Sequence, residues 1–284
     1  MIISVSSGKG GTGKTTVATS IAVSIANSVY IDCDVEEPNG HILLKPEYTS
    51  VTPHHKLLPE IDTEKCTLCN KCVDVCEFNA LMNAGEEIIL FDELCHSCGA
   101  CAYFCPEKCI TEVGKVMGYV RKGKSTTGDV EFIDGILNIG EETATPLIKE
   151  VKKQTIPGKI NIVDSPPGTA CSMVETVRES DFCILVTESS PFGLSDLKLA
   201  IDVLKIINIP FGVVINKYDE RYKATEEYLK ENDILLLSKI GIDKKIAEDY
   251  SRGIIPVLKS EKIRKDMIEI VEKINSLINS KQKV

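Results

Sequence analysis

Two kinds of residue in this chain stand at spacings that do chemistry: lysines set in a glycine loop, and cysteines set in two tight blocks. Gly8-Lys9-Gly10-Gly11-Thr12-Gly13-Lys14-Thr15-Thr16 follows an apolar run from Met1 to Ser6 and opens an apolar-periodic stretch, Lys14 to about Asn27. The pattern predicts strand, loop and helix. Glycines at these positions let backbone N–H groups turn inward around phosphate oxygens, at a helix N-terminus whose dipole favours anions. Lys14 is then placed to reach the β- and γ-phosphates, and the Thr15 hydroxyl to bind Mg²⁺. Thr16 closes the cradle. A glycine-rich turn without a ligand is the plain alternative, and the flanking strand and helix argue against it.

The cysteines are the second constellation. Cys66-x-x-Cys69-x-x-Cys72-x-x-x-Cys76 is followed by Cys95-x-x-Cys98-x-x-Cys101-x-x-x-Cys105-Pro106. In this spacing three thiolates wrap one iron–sulfur cube, and the fourth cysteine of each block serves the other cube. Cys66, Cys69, Cys72 and Cys105 are therefore expected to hold one [4Fe–4S] cluster, and Cys76, Cys95, Cys98 and Cys101 a second. Zinc sites usually pair two short hooks across a longer gap, not four cysteines within eleven residues. Glu77 stands where the second block has its proline, so the surroundings of the two clusters differ. His96 reads as a solvent-exposed neighbour. Cys33, Cys109 and Cys183 read as core or loop residues. Cys171 has no second cysteine with which to share a cluster and is expected to be buried as a small apolar residue, a transient or partner-completed metal site being the alternative.

Further carboxylates follow in order. Val29–Ile31 reads as a strand leading into Asp32-Cys33-Asp34, then Glu36-Glu37-Pro38-Asn39-Gly40-His41. Ile160–Val163 reads as a buried strand ending in Asp164, with Ser165-Pro166-Pro167-Gly168-Thr169 behind it. Asp164 at a strand end is expected to touch Mg²⁺ through water, and Gly168 to offer its N–H near the γ-phosphate. Phe211–Ile215 runs into Asn216-Lys217-Tyr218-Asp219.

Lys9, just after the first glycine, resembles the deviant Walker A P-loop of the MinD/ParA/Mrp superfamily of ATPases, to which the nitrogenase iron protein is related. The resemblance covers nearly the whole chain, the cysteine blocks being similar to an inserted two-cluster ferredoxin. It implies Mg-ATP hydrolysis in a face-to-face homodimer, or a heterodimer with a related ATPase. In that family the extra lysine crosses the interface to phosphates bound by the other subunit, a second positive charge where negative charge redistributes. The resemblance also makes Asp34 the carboxylate that orients the attacking water, Asp164 the metal-side carboxylate, and Asn216 a hydrogen-bonding partner of adenine. Asn-Lys-x-Asp is a guanine signature as well; the Lys9 pattern favours ATP.

The elements that must position these residues are those of an α/β protein. Strands expected at 182–187, 211–215 and 234–237 alternate with helices at 142–154, 194–207 and 220–231, which implies a mainly parallel sheet flanked by helices. Short strands are expected at Phe132-Ile133 and Ile136-Leu137, and a mobile, basic loop from Gly114 to Gly128. The cysteine unit, 62–112, interrupts the ATPase domain of 1–61 and 113–284. The last helix, 259–279, has apolar residues at helical spacing and is expected to pack on the sheet rather than touch membrane.

Composition bounds the rest. The 284 residues suffice for a sizeable core, and 43% hydrophobic with 26% charged residues is ordinary for a globular protein. A net charge of −9 argues against nucleic-acid binding through a general basic surface. No leader or membrane-length apolar run is legible, so the expected compartment is the cytoplasm and the twelve cysteines are not disulfides. Three uses of an ATP switch compete: gating electron transfer from the clusters to a redox partner, building or inserting a cluster into a metalloprotein, and positioning with a redox sensor. The related carriers hold their cluster with a C-terminal CxxC, and no such pair follows Cys183 here.

Overall fold

The computed structural model describes residues 1–281. Its first strand, β1 (Ile2–Ser6), is an apolar run buried on both faces, as the centre of a parallel sheet requires. It is followed by α1 (Lys14–Ser24), β2 (Ser28–Asp32), α2 (Gly40–Leu44) and the long β3 (Pro46–Ile61). The cysteine unit contributes α3 (Lys71–Asp74), β4 (Leu81–Asn83), β5 (Ile88–Leu90) and α4 (Ala100–Phe104). Then come β6 (Ile110–Ser125), β7 (Val130–Leu137), α5 (Thr145–Lys152), β8 (Ile160–Asp164), α6 (Cys171–Val177) and β9 (Phe182–Glu188). The chain continues with α7 (Pro191–Ile206), β10 (Phe211–Tyr218), α8 (Ala224–Glu231), β11 (Leu236–Gly241), α9 (Lys244–Ser251) and α10 (Glu261–Lys281).

Nine strands form one sheet, in the order β11-β10-β9-β1-β8-β2-β7-β6-β3. The seven from β11 to β7 run parallel, and β6 and β3 extend the sheet antiparallel. Alternate residues feed the two faces. Val5, Tyr30, Ile162 and Val186 pack towards α1 and α10, while Ile31, Ile133 and Val163 pack towards α5. Leu185, Val213 and Ile215 meet α7. Met267, Ile270, Val271 and Ile274 of α10 are buried in the core, so this helix packs on the sheet as its periodicity implied. No described helix is long and apolar enough to cross a membrane.

The main departure is the arm. Residues Gly114 to Gly128, expected as a mobile loop, mostly lie within β6, which pairs with β3 from Pro46↔Ser125 to Ile61↔Ile110. Two 16-residue strands make a ribbon roughly 50 Å long at ~3.3 Å per residue. The cysteine-bearing residues 62–109 sit between its far ends, with a small core in which Leu81 and Ile88 meet Ile110 at the start of β6. The two short strands expected near 132–137 are one strand, β7, and α9 was not anticipated.

Candidate functional site

The parallel strands end on one edge, and the functional side chains gather there. β1 enters the glycine loop. A side chain at Gly8 would strike the Asp196 backbone oxygen at 2.2 Å, and one at Gly13, whose φ is +91°, would strike the Asn216 amide at 2.1 Å. The loop is thus pinned between α7 and the end of β10. Asn216 Nδ2 donates to the Thr12 carbonyl (2.8 Å) and Lys217 Nζ to that of Gly11 (2.6 Å). The cradle so formed is lined by Ser7, Lys9 to Thr16, Asp34, Glu37, Asn39, Pro167 and Tyr250. Two of its polar atoms, Thr12 Oγ1 and Asn39 Oδ1, are buried without a partner, which fits a site completed by a polar ligand.

Lys14 and Thr15 are buried at the start of α1. Lys14 Nζ lies 2.7 Å from Asp164 Oδ1, and the other carboxylate oxygen accepts from Tyr30 (2.8 Å). Burial alone would lower the Lys14 ammonium, but Asp164 more than offsets it and holds the group above its ordinary range. Asp164 stands directly beside Asp32 in the parallel register, and Asp32 beside Asp134. Burial drives the Asp32 carboxyl well above the usual range. Its oxygens accept from the N–H groups of Asp34 (3.1 Å) and Gly40 (3.0 Å), so it fixes both ends of the 34–40 loop. Burial pushes Asp34 up to about 6, against the pull of Lys14. Gly168, at φ +92°, donates its N–H to the Ser7 carbonyl (3.0 Å).

Lys9 does not point outward. Its ammonium lies 2.5 Å from Glu188 Oε1 at the end of β9, and Lys217 approaches the other oxygen (3.3 Å). Burial would raise Glu188, but these two lysines bring it below its ordinary value.

A second, largely apolar pocket adjoins the cradle, sharing Thr16 and Tyr250 with it. Val17, Asn216, Ile240, Ile242, Ile246 and Met267 are among its walls. Asp219, the carboxylate that a guanine signature would aim at the base, does not line it. Arg221 holds that carboxylate instead, with Nε at 2.9 Å and Nη2 at 2.6 Å.

The eight block cysteines ring two hollows. Cys66, Cys69, Cys72 and Cys105 line one, joined by Cys109, whose sulfur is 3.4 Å from that of Cys105. Cys76, Cys95, Cys98 and Cys101 line the other. Among the described residues, no three His, Cys, Asp or Glu side chains converge tightly enough to chelate a single metal ion. The backbone repeats itself in the two blocks. Positive φ occurs at Leu68, Asn70 and Asn79, and at the equivalent Ser97, Gly99 and Lys108. Left-handed residues of this kind form concave nests of inward N–H groups that suit anionic sulfur, and Ala80 N–H already points at Cys76 Sγ (3.3 Å). Four thiols and such a nest fit an iron–sulfur cube at each hollow. His96 is exposed, as expected, but also stacks on Phe78 at 3.8 Å.

Tyr30, Glu188 and Tyr250 were not found from the sequence. Glu188 ends a buried strand just as Asp32 and Asp164 do, and that placement was the available signal. Cys171, expected to be buried, is instead exposed at the start of α6.

The chain is similar to several proteins. An uncharacterized protein of Methanocaldococcus jannaschii is 33% identical over 259 residues, covering 89% of this chain and 90% of that one. An iron-sulfur cluster carrier protein of Pyrococcus abyssi is 26% identical over 295 residues, covering 96% and 84%. The septum site-determining protein MinD of Pyrococcus horikoshii, complexed with Mg-ADP, shares the fold with a TM-score of 0.62 at 21% identity, over 100% and 99% of the two chains. The profile of the CobQ/CobB/MinD/ParA nucleotide-binding domain matches residues 3–257, and the chain belongs to that family.

Proposed function

We propose that the protein is a Mg-ATP-binding and hydrolysing dimeric switch coupled to two [4Fe–4S] clusters, and that ATP gates electron transfer from those clusters to a redox partner. One observation carries this most directly. A polar cradle and an apolar pocket adjoin through Thr16 and Tyr250 in a chain whose eight block cysteines divide four and four around two hollows, with Cys76 and Cys105 exchanged between blocks. Adenine is the better base for the apolar pocket, because Asp219 is committed to Arg221 outside it.

In this scheme Lys14 leaves Asp164 for the β- and γ-phosphates, and Asp164 with Thr15 becomes available to Mg²⁺. Asp34 orients the water whose oxygen attacks the γ-phosphorus. The bond to the β–γ bridging oxygen breaks, giving ADP and phosphate. Gly168 leaves the Ser7 carbonyl to face the γ-phosphate. Lys9 leaves Glu188 and crosses to the nucleotide of a second subunit. The clusters, held by the cysteines named above, supply one-electron chemistry when bound.

A second use of the same switch, delivery of a cluster to a metalloprotein, is favoured by the similarity to the P. abyssi carrier protein. Anaerobic purification followed by EPR titration, with and without a non-hydrolysable ATP analogue, separates the two. Electron gating requires a nucleotide-dependent midpoint; for one electron, about 59 mV is a tenfold change in equilibrium. Identical curves with nucleotide bound, together with iron lost to an apo-acceptor, would favour delivery.

A further inference from the structure

Lys56 is among the most buried charged residues of the chain, 4% exposed, and lies on β3, far along the arm from the glycine loop. A buried ammonium is costly unless it is paired and hydrogen-bonded. Its hydrogen bond goes to the Asp92 carbonyl (2.7 Å), the same oxygen that accepts from the Cys95 N–H (3.3 Å). Its counter-charge is Glu141, whose Oε2 lies 2.6 Å away but outside the angle for a proper hydrogen bond. The ammonium is thus bonded to the loop that leads into the second hollow and balanced by a carboxylate from the ATPase body.

Glu141 does not stand free. Its N–H donates to the Asn138 carbonyl (3.3 Å), and Asn138 is fixed to β6 through its N–H on Met117 (2.9 Å) and its amide on Val116 (2.9 Å). One residue earlier, Leu137 N–H donates to the carbonyl of Val35 (2.9 Å), the residue after Asp34. The loop that borders the phosphate cradle and the loop that carries Cys95 are therefore joined by a short series of contacts with one buried charge pair in the middle.

We propose that the Lys56–Glu141 pair is a positioning device that sets the reduction potential at the second hollow and transmits the nucleotide state to it. This rests on the proposal that the hollows hold [4Fe–4S] clusters. Reduction adds an electron, and a buried positive charge nearby favours the reduced form because low-dielectric surroundings screen it little. Displacing Glu141 when the 34–40 loop rearranges leaves the ammonium less compensated and makes reduction easier.

The test uses the full-length protein purified anaerobically, with both midpoints measured by EPR redox titration with and without AMPPNP. A Cys98→Ser variant identifies the signal of the second hollow. Lys56→Met should lower that midpoint by roughly 59 mV, a tenfold change in the reduction equilibrium, and leave the other midpoint alone. Glu141→Gln should raise the same midpoint and shrink its AMPPNP response several-fold. Lys56→Arg keeps the charge, should retain the wild-type midpoint, and guards against misfolding of the methionine variant. Equal movement of both midpoints, or an AMPPNP response in Glu141→Gln equal to wild type, overturns the inference. Absence of clusters, or of any response in the wild type, would instead overturn the proposed function.

Discussion

Lys9 is held in its own subunit, and that contact makes a quantitative prediction for Glu188→Gln. The ammonium lies 2.5 Å from Glu188 Oε1, with side-chain exposures of 30% and 20%. A partly exposed pair of this kind is worth roughly 0.5–1 kcal/mol after screening. Lys217 shares the carboxylate but keeps its bond to the Gly11 carbonyl in the variant, so the loop stays pinned. If Lys9 acts across a dimer interface, two such contacts must break each time the dimer closes. Removing them should favour the ATP-bound dimer by about 1–2 kcal/mol, a factor of roughly 5–30 in its dissociation constant. Sedimentation velocity over a range of protein concentrations, at saturating Mg-AMPPNP, measures this directly. Lys9→Ala in the same background should abolish the gain. A dimer that is unchanged or weaker in Glu188→Gln would refute the reasoning, the weaker case meaning that Glu188 serves the closed state rather than the open one.

Three other perturbations are informative. Tyr30→Phe strips one oxygen of the fully buried Asp164 of its partner, so it should cost about 1–3 kcal/mol in urea unfolding and slow hydrolysis roughly 10–100-fold by loosening that carboxylate. Asp34 is raised from 3.8 to about 6 in the folded protein, so the native state binds its proton more tightly and stability falls as pH rises from about 4 to 6. Asp34→Asn should therefore stabilise the nucleotide-free, metal-free protein by ~1–2 kcal/mol above pH 6 and not at all below pH 4, allowing for the group's partial exposure, while abolishing hydrolysis. Cys76→Ala, although in the first block, should remove the cluster of the second hollow and leave that of the first; iron analysis with EPR would show about half the iron lost, and loss of the other signal would contradict the exchange.

The glycine loop, the strands on either side of it and the cysteine spacing were legible because each is a local pattern. The sheet's hydrophobic runs marked β1, β2, β8 and β9 to within a residue at each end, whereas β10 continues three residues past the expected 211–215. The arm was not legible. Pro46, Pro53 and Pro59 in β3, and Gly114, Gly118 and Gly123 in β6, are breakers in a single-sequence reading. Proline is tolerated because β3 is the outer strand of the sheet and lacks a partner on one side. Much of the ribbon is also exposed, so neither strand shows a clean apolar alternation. Tyr250 belongs to α9, a helix of eight residues whose apolar Ile246 and Tyr250 stand four apart, a pattern too short to stand out in the sequence, and only the fold brings it to the cradle.

Both lysines of the glycine loop already have carboxylate partners within the subunit, and this constrains what can switch the site. Lys14 is paired with Asp164, Lys9 with Glu188, and the Gly168 N–H with the Ser7 carbonyl. A phosphate chain entering the cradle therefore exchanges partners rather than supplying a missing charge, and the exchange is favourable only if every released group finds a better contact. Lys14 alone can be satisfied by a β-phosphate. Asp164, fully buried, cannot be left as an unpaired anion when Lys14 departs, because an isolated buried carboxylate is far more costly than the pair it leaves. Tyr30 donates one neutral hydrogen bond to it, which is not a countercharge. On the proposed scheme a divalent cation arrives with the nucleotide and takes the place of the lysine. On the same scheme Lys9 and Gly168 gain a new partner only from a γ-phosphate, which for Lys9 a second subunit brings. On the proposed scheme, nucleotide affinity should depend steeply on Mg²⁺ already in the diphosphate complex, whereas release of Lys9 and dimer closure should require the triphosphate. Calorimetric titration of ADP and AMPPNP, each with Mg²⁺ and with EDTA, resolves the four cases. Binding of ADP as tight in EDTA as in Mg²⁺ would show that Asp164 tolerates losing its lysine, and the partner-exchange scheme would fail.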